Sequence, residues 1–274
     1  MTTSTSQTAQ GVKLAAQPLA GQHAVITGGG RGIGAACADR LAALGARITL
    51  IGRTQKHVDE QASVLKAGYG KPVTAFAADV TDEDAVTQVF IDTVKANGEV
   101  GILVNNAGRG DSMPFKRMDV KFLRAMLEVN LVSTFMCTKA VLPAMQERNF
   151  GRIINIASTA GLLGYRYVSG YVAAKHAVVG MTRALALELA KTGITVNAVC
   201  PGYTETDMVK ESIRNIMEKT GKSEADTRAQ LATGNPQGRL VQPEEVANVV
   251  GFLALPESHA MTGQAVPVAG GEVM

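Results

Sequence analysis

The sequence predicts a single α/β domain, built on a doubly wound parallel sheet with helices on both faces. Short and nearly continuous apolar runs recur six times, and longer segments with amphipathic patterning separate them. Strands that are apolar on both faces must be covered on both faces, which is the arrangement of a parallel sheet joined by crossover helices. The chain shows no internal repeat and no linker-like break in composition, so one domain is expected.

The elements are predicted in order along the chain. The first strand, 23–26, runs into a glycine-rich turn, and a helix continues from that turn to residue 44. Further strands are predicted at 47–51, 73–77, 102–104, 152–157 and 194–199, and further helices at 54–67, 83–96, 118–147 and from Tyr171 to about residue 191. A last strand is expected around Pro267, although proline cannot donate a hydrogen bond to a sheet.

Composition excludes several classes of function. The chain of 274 residues is 46% hydrophobic and 19% charged, which suits a soluble enzyme. Its formal net charge of +3 is too small to indicate binding to nucleic acid or to an anionic membrane. The three cysteines, Cys37, Cys137 and Cys200, lack metal-ligand spacing, so we expect no metal site and three buried free thiols in a reducing compartment.

The start of the chain does not read as a targeting signal. Residues 1–8 have neither a basic start nor an apolar centre, and no apolar run reaches the roughly eighteen residues that cross a bilayer. We therefore expect a cytoplasmic protein, in which residues 1–20 form a flexible extension and residues 21–274 form the domain.

A glycine-rich stretch, residues 27–34, stands at the first strand-to-helix turn. Glycines there let the backbone approach a pyrophosphate, whose charge is favoured at the N-terminus of the following helix. A glycine cluster alone is often only a turn. Its position between a strand and a helix favours nucleotide binding.

A tyrosine and a lysine supply candidate proton-transfer chemistry. Tyr171 and Lys175 are four residues apart in a helical stretch, so they share one face of the helix. A phenol has an ordinary pKa of about 10. A neighbouring ammonium lowers that pKa, which would let Tyr171 exchange a proton with a substrate oxygen. Ser158, which ends an apolar run, could hydrogen-bond the same oxygen, although the tyrosine–lysine pair alone is also explained by chance.

Together these motifs make the chain resemble the short-chain dehydrogenase/reductase family from about residue 20 onward. The matching positions, in order, are Thr27-Gly28-x-x-x-Gly32-x-Gly34, Asp79, Asn105-Asn106-Ala107-Gly108, Asn130, Ser158, Tyr171-x-x-x-Lys175 and Pro201-Gly202. Across 151–208 the likeness is to ketoreductases of the polyketide and 3-oxoacyl type. The resemblance implies a Rossmann-like fold and a catalytic tetrad of Asn130, Ser158, Tyr171 and Lys175.

The resemblance also implies the role of each member of the tetrad. Tyr171 would be the general acid/base, and Ser158 would orient and polarise the substrate oxygen. Lys175 would lower the pKa of Tyr171 and hold the nicotinamide ribose, while Asn130 would anchor a water that relays protons from Lys175 to solvent.

Cofactor contacts follow from the same resemblance. Asp79 would bind the adenine, and Thr204 and Thr206 would meet the nicotinamide carboxamide, whereas Asn105 would stabilise the sheet. The full set of implied cofactor-binding residues is Gly28, Arg31, Gly32, Ile33, Gly34, Arg53, Asp79, Val80, Asn106, Ala107, Gly108, Tyr171, Lys175, Pro201, Gly202, Thr204 and Thr206. The family also implies a lid at about 203–239 and a homotetramer that pairs the helix at 118–147 and the Tyr171 helix across a two-fold axis.

The end of the second strand bears on the choice between NADP and NAD. A carboxylate there would bind the adenosine ribose and repel a 2′-phosphate. This chain has Gly52 at that position and Arg53 after it, and Arg31 in the glycine loop can reach the same phosphate. Guanidinium groups match phosphate in charge and geometry, so we expect NADP, with NAD as the alternative.

The leading hypothesis is therefore hydride transfer between a nicotinamide and a secondary alcohol or ketone. Two alternatives stay open: a catalytically inactive relative that serves as a binding or scaffold subunit, and an epimerase or dehydratase acting on a nucleotide sugar. For the oxidoreductase, the substrate is either a 3-hydroxyacyl thioester or a cyclic alcohol. The cations Arg109, Arg166 and Lys210 are expected near the pocket mouth, where they would suit an anionic carrier.

Overall fold

The computed structural model describes residues 17–274 as one sheet of seven parallel strands, covered by helices on both faces. The strands stand in the order β3-β2-β1-β4-β5-β6-β7. They are β1 (His23–Thr27), β2 (Arg47–Gly52), β3 (Val73–Ala77), β4 (Ile102–Asn105), β5 (Gly151–Ile156), β6 (Ile194–Pro201) and β7 (Ala265–Val268). The predicted fold class, a single doubly wound Rossmann-like domain, is confirmed.

Helices connect and flank these strands throughout the described residues. They are α1 (Gly32–Ala43), α2 (Gln55–Tyr69), α3 (Glu83–Asn97), α4 (Val120–Leu127), α5 (Ser133–Glu147), α6 (Ser169–Glu188), α7 (Asp207–Thr220), α8 (Glu224–Ala232) and α9 (Pro243–Ala254). Single 3₁₀ turns lie at Phe115–Arg117, Thr159–Gly161 and Pro256–Ser258.

Each face of the sheet packs its own apolar core. One core joins the sheet to α1, α2 and α9, and residues such as Leu41, Leu50 and Val250 lie fully buried in it. The other joins the sheet to α3 and α5 around Phe90 and Met145. Burial on both faces explains why the strands read as continuous apolar runs rather than alternating ones.

The predicted boundary of the N-terminal extension at residue 20 needs a correction. Residues 1–16 lie outside the described part of the chain. Leu19, however, is fully buried in the first core, and its backbone N–H donates to the Leu44 carbonyl at 2.9 Å. The packed domain therefore includes residues before 21.

The order of the strands creates the crevice in which the candidate site lies. β1 pairs with β2 on one side and with β4 on the other, so the chain changes direction across the sheet between β1 and β4. In an open parallel sheet, the loops at the carboxyl ends of the strands diverge at such a point and leave room for a ligand. The loops after β1, β4, β5 and β6 carry most of the residues singled out in the sequence.

The long helix predicted at 118–147 is not continuous. A π-helical turn, Glu128–Val132, separates α4 from α5 and holds Asn130. By length and composition alone, Val120–Glu147 is long and apolar enough to cross a membrane, although polar residues such as Glu128 and Asn130 interrupt its apolar sequence. Met126 and Met145 on this helix are buried within the domain, so the apolar character is explained by packing.

Two features after β6 differ from the sequence reading. The stretch predicted as a lid folds into α7 and α8, which pack together around Val209, Ile213 and Leu240. The sequence reading did not identify α9, whose start is marked by Pro243 in the first turn and by Glu245, which accepts a hydrogen bond from the Gln242 backbone at 2.7 Å.

β7 forms despite its proline. It is the edge strand of the sheet, and Pro267 stands opposite Cys200 of β6 with its other side exposed. Proline is tolerated at an edge because no further strand there needs its missing N–H. The three cysteines are buried free thiols, as predicted.

Candidate active site

The tyrosine–lysine pair stands at the start of α6, as the spacing predicted. Tyr171 lies in the first turn, and the Lys175 ammonium nitrogen is 5.7 Å from the centre of the Tyr171 ring. Lys175 is almost fully buried and donates a hydrogen bond to the Ile156 carbonyl at 2.8 Å. The end of β5 therefore fixes the position of the ammonium group.

Ser158 follows β5 directly and faces the same space. Its hydroxyl oxygen accepts a hydrogen bond from the Ala160 backbone at 3.1 Å, and its O–H points to the Pro201 carbonyl at 3.5 Å. The nearby Ser158 hydroxyl favours the phenolate form of Tyr171 and so lowers the pKa of this phenol. Burial has the larger effect and raises the same pKa. The ends of β5 and β6 and the start of α6 thus bring these side chains together.

Burial reverses one expectation about the pair. The sequence predicted a lowered pKa for Tyr171, but burial raises the pKa of this phenol to about 12. Burial also lowers the pKa of Lys175 to about 8, because a charged ammonium is poorly solvated in this position. Tyr171 therefore holds its proton at neutral pH, which suits it to donate a proton to a substrate oxygen.

Asn130 completes the predicted group of four. Its amide nitrogen donates to the Met126 and Arg109 carbonyls, each at 2.9 Å, whereas its Oδ1 is buried without a hydrogen-bond partner among residues 17–274. A Cβ atom at Gly108 would lie 2.6 Å from this oxygen and 3.6 Å from the Lys175 nitrogen. The free acceptor thus lies beside Lys175, and a water-anchoring role for Asn130 stays a prediction.

The glycine loop is shaped to receive an anion. Gly28 and Gly32 have φ values of 64° and 55°, a backbone conformation that side chains with a Cβ rarely adopt. The first turn of α1 has no acidic residue, and Arg31, which caps it, makes no side-chain capping hydrogen bond. The first N–H groups of α1 are therefore available to a phosphate, and the loop fits the pyrophosphate of a dinucleotide.

Asn106 contacts the glycine loop itself. Its side-chain amide donates to the carbonyls of Thr27 and Gly28 at 3.0 and 3.2 Å, and the Thr27 hydroxyl accepts from the backbone of Asn106 and Ala107. The Asn105 side-chain amide instead donates to Asn155 on the neighbouring strand β5 and to Thr138 on α5, so it ties the sheet to a covering helix.

The predicted adenine end lies after β2 and β3. Asp79 is exposed, and hydrogen bonds from Thr81 hold its pKa below the ordinary value, with a smaller contribution from the Arg53 guanidinium. Arg53 is therefore near Asp79. Arg31 lies 3.5 Å from the Asp207 carboxylate at the start of α7, in a pair whose side chains are both more than half exposed. The contacts of Arg31 and Arg53 with the 2′-phosphate stay predictions.

The remaining predicted contacts lie around the crevice. A Cβ atom at Gly32 would be 3.2 Å from Thr206 Cγ2, so the loop after β6 reaches the glycine loop. Thr204 is buried and bridges to Val241. Ile33 packs against the first core, Val80 is buried in the second, and Pro201, Gly202 and Gly108 line the loops beside Ser158 and Lys175.

The sequence reading missed two residues of this region. A Cβ atom at Gly110 would lie 3.5 Å from the Tyr171 ring, so this glycine keeps the face of the ring open. Glu272, beyond β7, accepts a hydrogen bond from the Tyr165 hydroxyl at 2.7 Å. Neither position carries a sequence signal, because each contact joins residues more than sixty positions apart.

Two of the three predicted rim cations are paired with carboxylates. Arg109 lies 3.0 Å from Asp111, and Lys210 lies 3.8 Å from Asp207. Arg166 is exposed and forms no ion pair within residues 17–274. The cationic character predicted for the pocket mouth therefore rests on Arg166.

Known proteins are similar to this chain over most of its length. A family model described as short chain dehydrogenase matches residues 22–216. A putative ketoacyl reductase of the granaticin polyketide synthase of Streptomyces violaceoruber is 41% identical over 99% of this chain and 98% of its own. A 3-oxoacyl-[acyl-carrier-protein] reductase of Vibrio cholerae is 39% identical, over 93% of this chain and 99% of its own. The crystal structure of an actinorhodin polyketide ketoreductase variant with NADPH is 37% identical, superposes with a TM-score of 0.88, and covers 94% of this chain and 99% of that one.

Proposed function

Because this chain belongs to the short-chain dehydrogenase family, and so is an NAD(P)-dependent oxidoreductase interconverting a ketone and a secondary alcohol, we propose that its substrates are 3-oxoacyl compounds. The convergence of Ser158, Tyr171 and Lys175 supports the reaction on a ketone, and the substrate class rests on the relatives, which are named as reductases of ketoacyl and 3-oxoacyl groups. The relatives named above are reductases, which does not favour an inactive scaffold or a nucleotide-sugar epimerase.

In this proposal, the side chains of the site handle the proton. Tyr171, which burial keeps protonated, donates its proton to the ketone oxygen, and the Ser158 hydroxyl polarises the same oxygen. Asn130 Oδ1 anchors a water through which the proton of Tyr171 is replaced by way of Lys175. The nicotinamide, when bound, supplies the hydride.

NADP fits the residues that would hold the cofactor. The glycine loop and the uncapped start of α1 would bind the pyrophosphate, and Arg53 would bind the 2′-phosphate. Lys175 would hold the nicotinamide ribose, and Thr204 and Thr206 the carboxamide. The segment 203–239, which contains α7 and α8, would act as the lid over the substrate.

A 3-oxoacyl substrate suits the walls of the crevice. Leu162 is partly buried, and Leu163, Tyr203 and Met208 are about two-fifths exposed, so the surface beside the site is largely apolar. Exposed Arg166 would meet the phosphate of a carrier at the mouth. The relatives that act on ketoacyl groups support the same substrate class.

A reduction assay tests this function. With NADPH, a 3-oxoacyl-coenzyme A is expected to show a higher kcat/KM than a cyclic ketone of similar size, and added salt is expected to reduce the difference because it screens Arg166. The measurement follows cofactor absorbance for both substrates with both cofactors. Preferential reduction of the cyclic ketone at every salt concentration would establish the cyclic-alcohol alternative instead.

A homotetramer is the proposed assembly. Phe135 of α5 and Leu187 of α6 are 50% and 79% exposed, so each of the two helices that would form the interface offers a large apolar side chain to it. Met126 and Val178, on the same two predicted helices, are buried within one chain and do not support an interface.

Light scattering at micromolar concentration is expected to give a mass of about four times the 28.6 kDa of one chain. Glutamate at position 187 should lower that mass, because a charge would be buried in the interface. A monomeric mass for the unmodified protein would contradict the assembly.

We also propose that the protein works in the cytoplasm. The support is the chemistry of its cysteines: Cys37, Cys137 and Cys200 are buried and unpaired, as is usual in a reducing compartment.

A further inference from the structure

Three side chains form a hydrogen-bonded chain beside the candidate site. The Tyr165 hydroxyl lies 2.8 Å from Thr159 Oγ1 and 2.7 Å from Glu272 Oε1. A carboxylate can only accept, so Tyr165 donates to Glu272 and the Thr159 hydroxyl donates to Tyr165. The segment beyond β7 is thereby tied to the residue that follows Ser158.

The carboxylate of Glu272 borders the substrate space. A Cβ atom at Gly202 would lie 3.0 Å from Glu272 Oε2, and Gly202 follows Pro201, whose carbonyl faces Ser158. Burial raises the pKa of Tyr203, and the charge of Glu272 raises it further. Thr159, which bonds Tyr165, and Gly202, which Oε2 approaches, adjoin Ser158 and Pro201 in the chain, so the carboxylate lies on the wall of the crevice next to Ser158.

Oε1 and Oε2 of Glu272 have different surroundings. Oε1 accepts the Tyr165 hydrogen bond, while Oε2 forms no hydrogen bond within residues 17–274. Glu272 is partly buried. None of the ion pairs within residues 17–274 involves Glu272, and the rim cations Arg109 and Lys210 are paired with Asp111 and Asp207.

We propose that Glu272 is a specificity-determining residue, held in place by Tyr165 and Thr159, which makes the site reject free 3-oxo acids and accept their neutral esters and thioesters. The inference rests on the proposed function, because it assumes that the ketone is bound between Ser158, Tyr171 and this wall. A fixed negative charge repels the carboxylate of a free acid and has little effect on a neutral acyl group of the same shape.

Binding measurements test this selectivity without turnover. Calorimetry with saturating NADP⁺ gives the Kd of acetoacetate and of its methyl ester, since a ketone cannot be reduced by the oxidised cofactor. The ratio of the two Kd values, acid over ester, is expected to fall about fivefold in Glu272→Gln, because the amide oxygen still accepts from Tyr165 while the charge is lost. In the unmodified protein, added salt should lower the same ratio.

Glu147→Gln is the matched control. Glu147 is an exposed residue at the end of α5, just before β5 begins. It therefore lies near the amino ends of the strands, whereas the site lies at their carboxyl ends. Glu147→Gln changes the net charge by the same amount as Glu272→Gln. In this control the ratio of the two Kd values, acid over ester, should stay within twofold of that of the unmodified protein. Tyr165→Phe keeps the charge but removes its anchor, so its ratio should fall between those of the unmodified protein and Glu272→Gln.

The outcomes separate this inference from the proposed function. An unchanged ratio in Glu272→Gln, an equal fall in Glu147→Gln, or failure of both probes to bind overturns the role of Glu272. A ratio in Tyr165→Phe equal to that of the unmodified protein overturns the anchoring role of the hydrogen-bonded chain. Absence of methyl ester reduction with NADPH, alongside the expected Kd ratios, would instead overturn the 3-oxoacyl function and leave the charge effect established.

Discussion

Replacing Tyr171 with phenylalanine is expected to lower kcat for ketone reduction by a factor of about 10² to 10⁴. The substitution removes only the hydroxyl that we propose as the proton donor. Burial raises the pKa of that hydroxyl to about 12, so the proposed donor keeps its proton throughout the neutral range. Steady-state reduction with NADPH measures the loss, and calorimetric titration with NADPH should show nearly unchanged cofactor binding.

Tyr69→Phe is the control for this experiment. Tyr69 lies at the end of α2, where its hydroxyl donates to Asp39 at 3.0 Å, away from the crevice. The Tyr69→Phe variant also loses one phenolic oxygen, and it should keep full activity. Turnover of Tyr171→Phe close to that of the Tyr69 variant would mean that another group donates the proton.

Arg53→Ala is expected to weaken NADPH binding by a factor of about 10 to 100 and NADH binding by much less. Arg53 follows Gly52, the last residue of β2, and lies near Asp79, the residue predicted to bind the adenine. The loss should depend on the 2′-phosphate, the only group that distinguishes the two cofactors. Calorimetric Kd values for both cofactors measure it.

Two further arginines sharpen the comparison. Arg31→Ala should have a smaller effect on NADPH, because Arg31 is paired with Asp207. Arg40→Ala, at the far end of α1, should have none. Equal losses of NADPH and NADH binding in Arg53→Ala would refute the assignment of the phosphate to Arg53.

Much of the fold was predictable because local pattern and global architecture agree. Strands buried on both faces must be apolar throughout, so β1, β2, β4 and β5 were visible as runs. The glycine loop was visible because the positive φ values of Gly28 and Gly32 restrict the residue type. The pairing of Tyr171 with Lys175 was visible because it lies within one helix.

The features that escaped prediction depend on long-range packing. The raised pKa of Tyr171 arises from burial, which outweighs the hydrogen bond of Ser158 and which no local motif reports. The contact between Tyr165 and Glu272 joins residues 107 positions apart. Leu19 looked like part of a flexible tail because its burial depends on the helix and turn ending near Leu44.

The π-helical turn at Glu128–Val132 sets the rotational phase between α4 and α5. Inserting or deleting a residue there should therefore disturb the structure more than replacing one. Each residue of an α-helix turns the chain by about 100°, so the wider turn offsets the rotational phase of α5 relative to α4. Asn130 can therefore reach the Arg109 carbonyl while α5 still turns Cys137, Val141 and Met145 toward the sheet. Deleting one residue between 128 and 132 would bring the two halves back into phase, and one of these two faces would then point away from its partner.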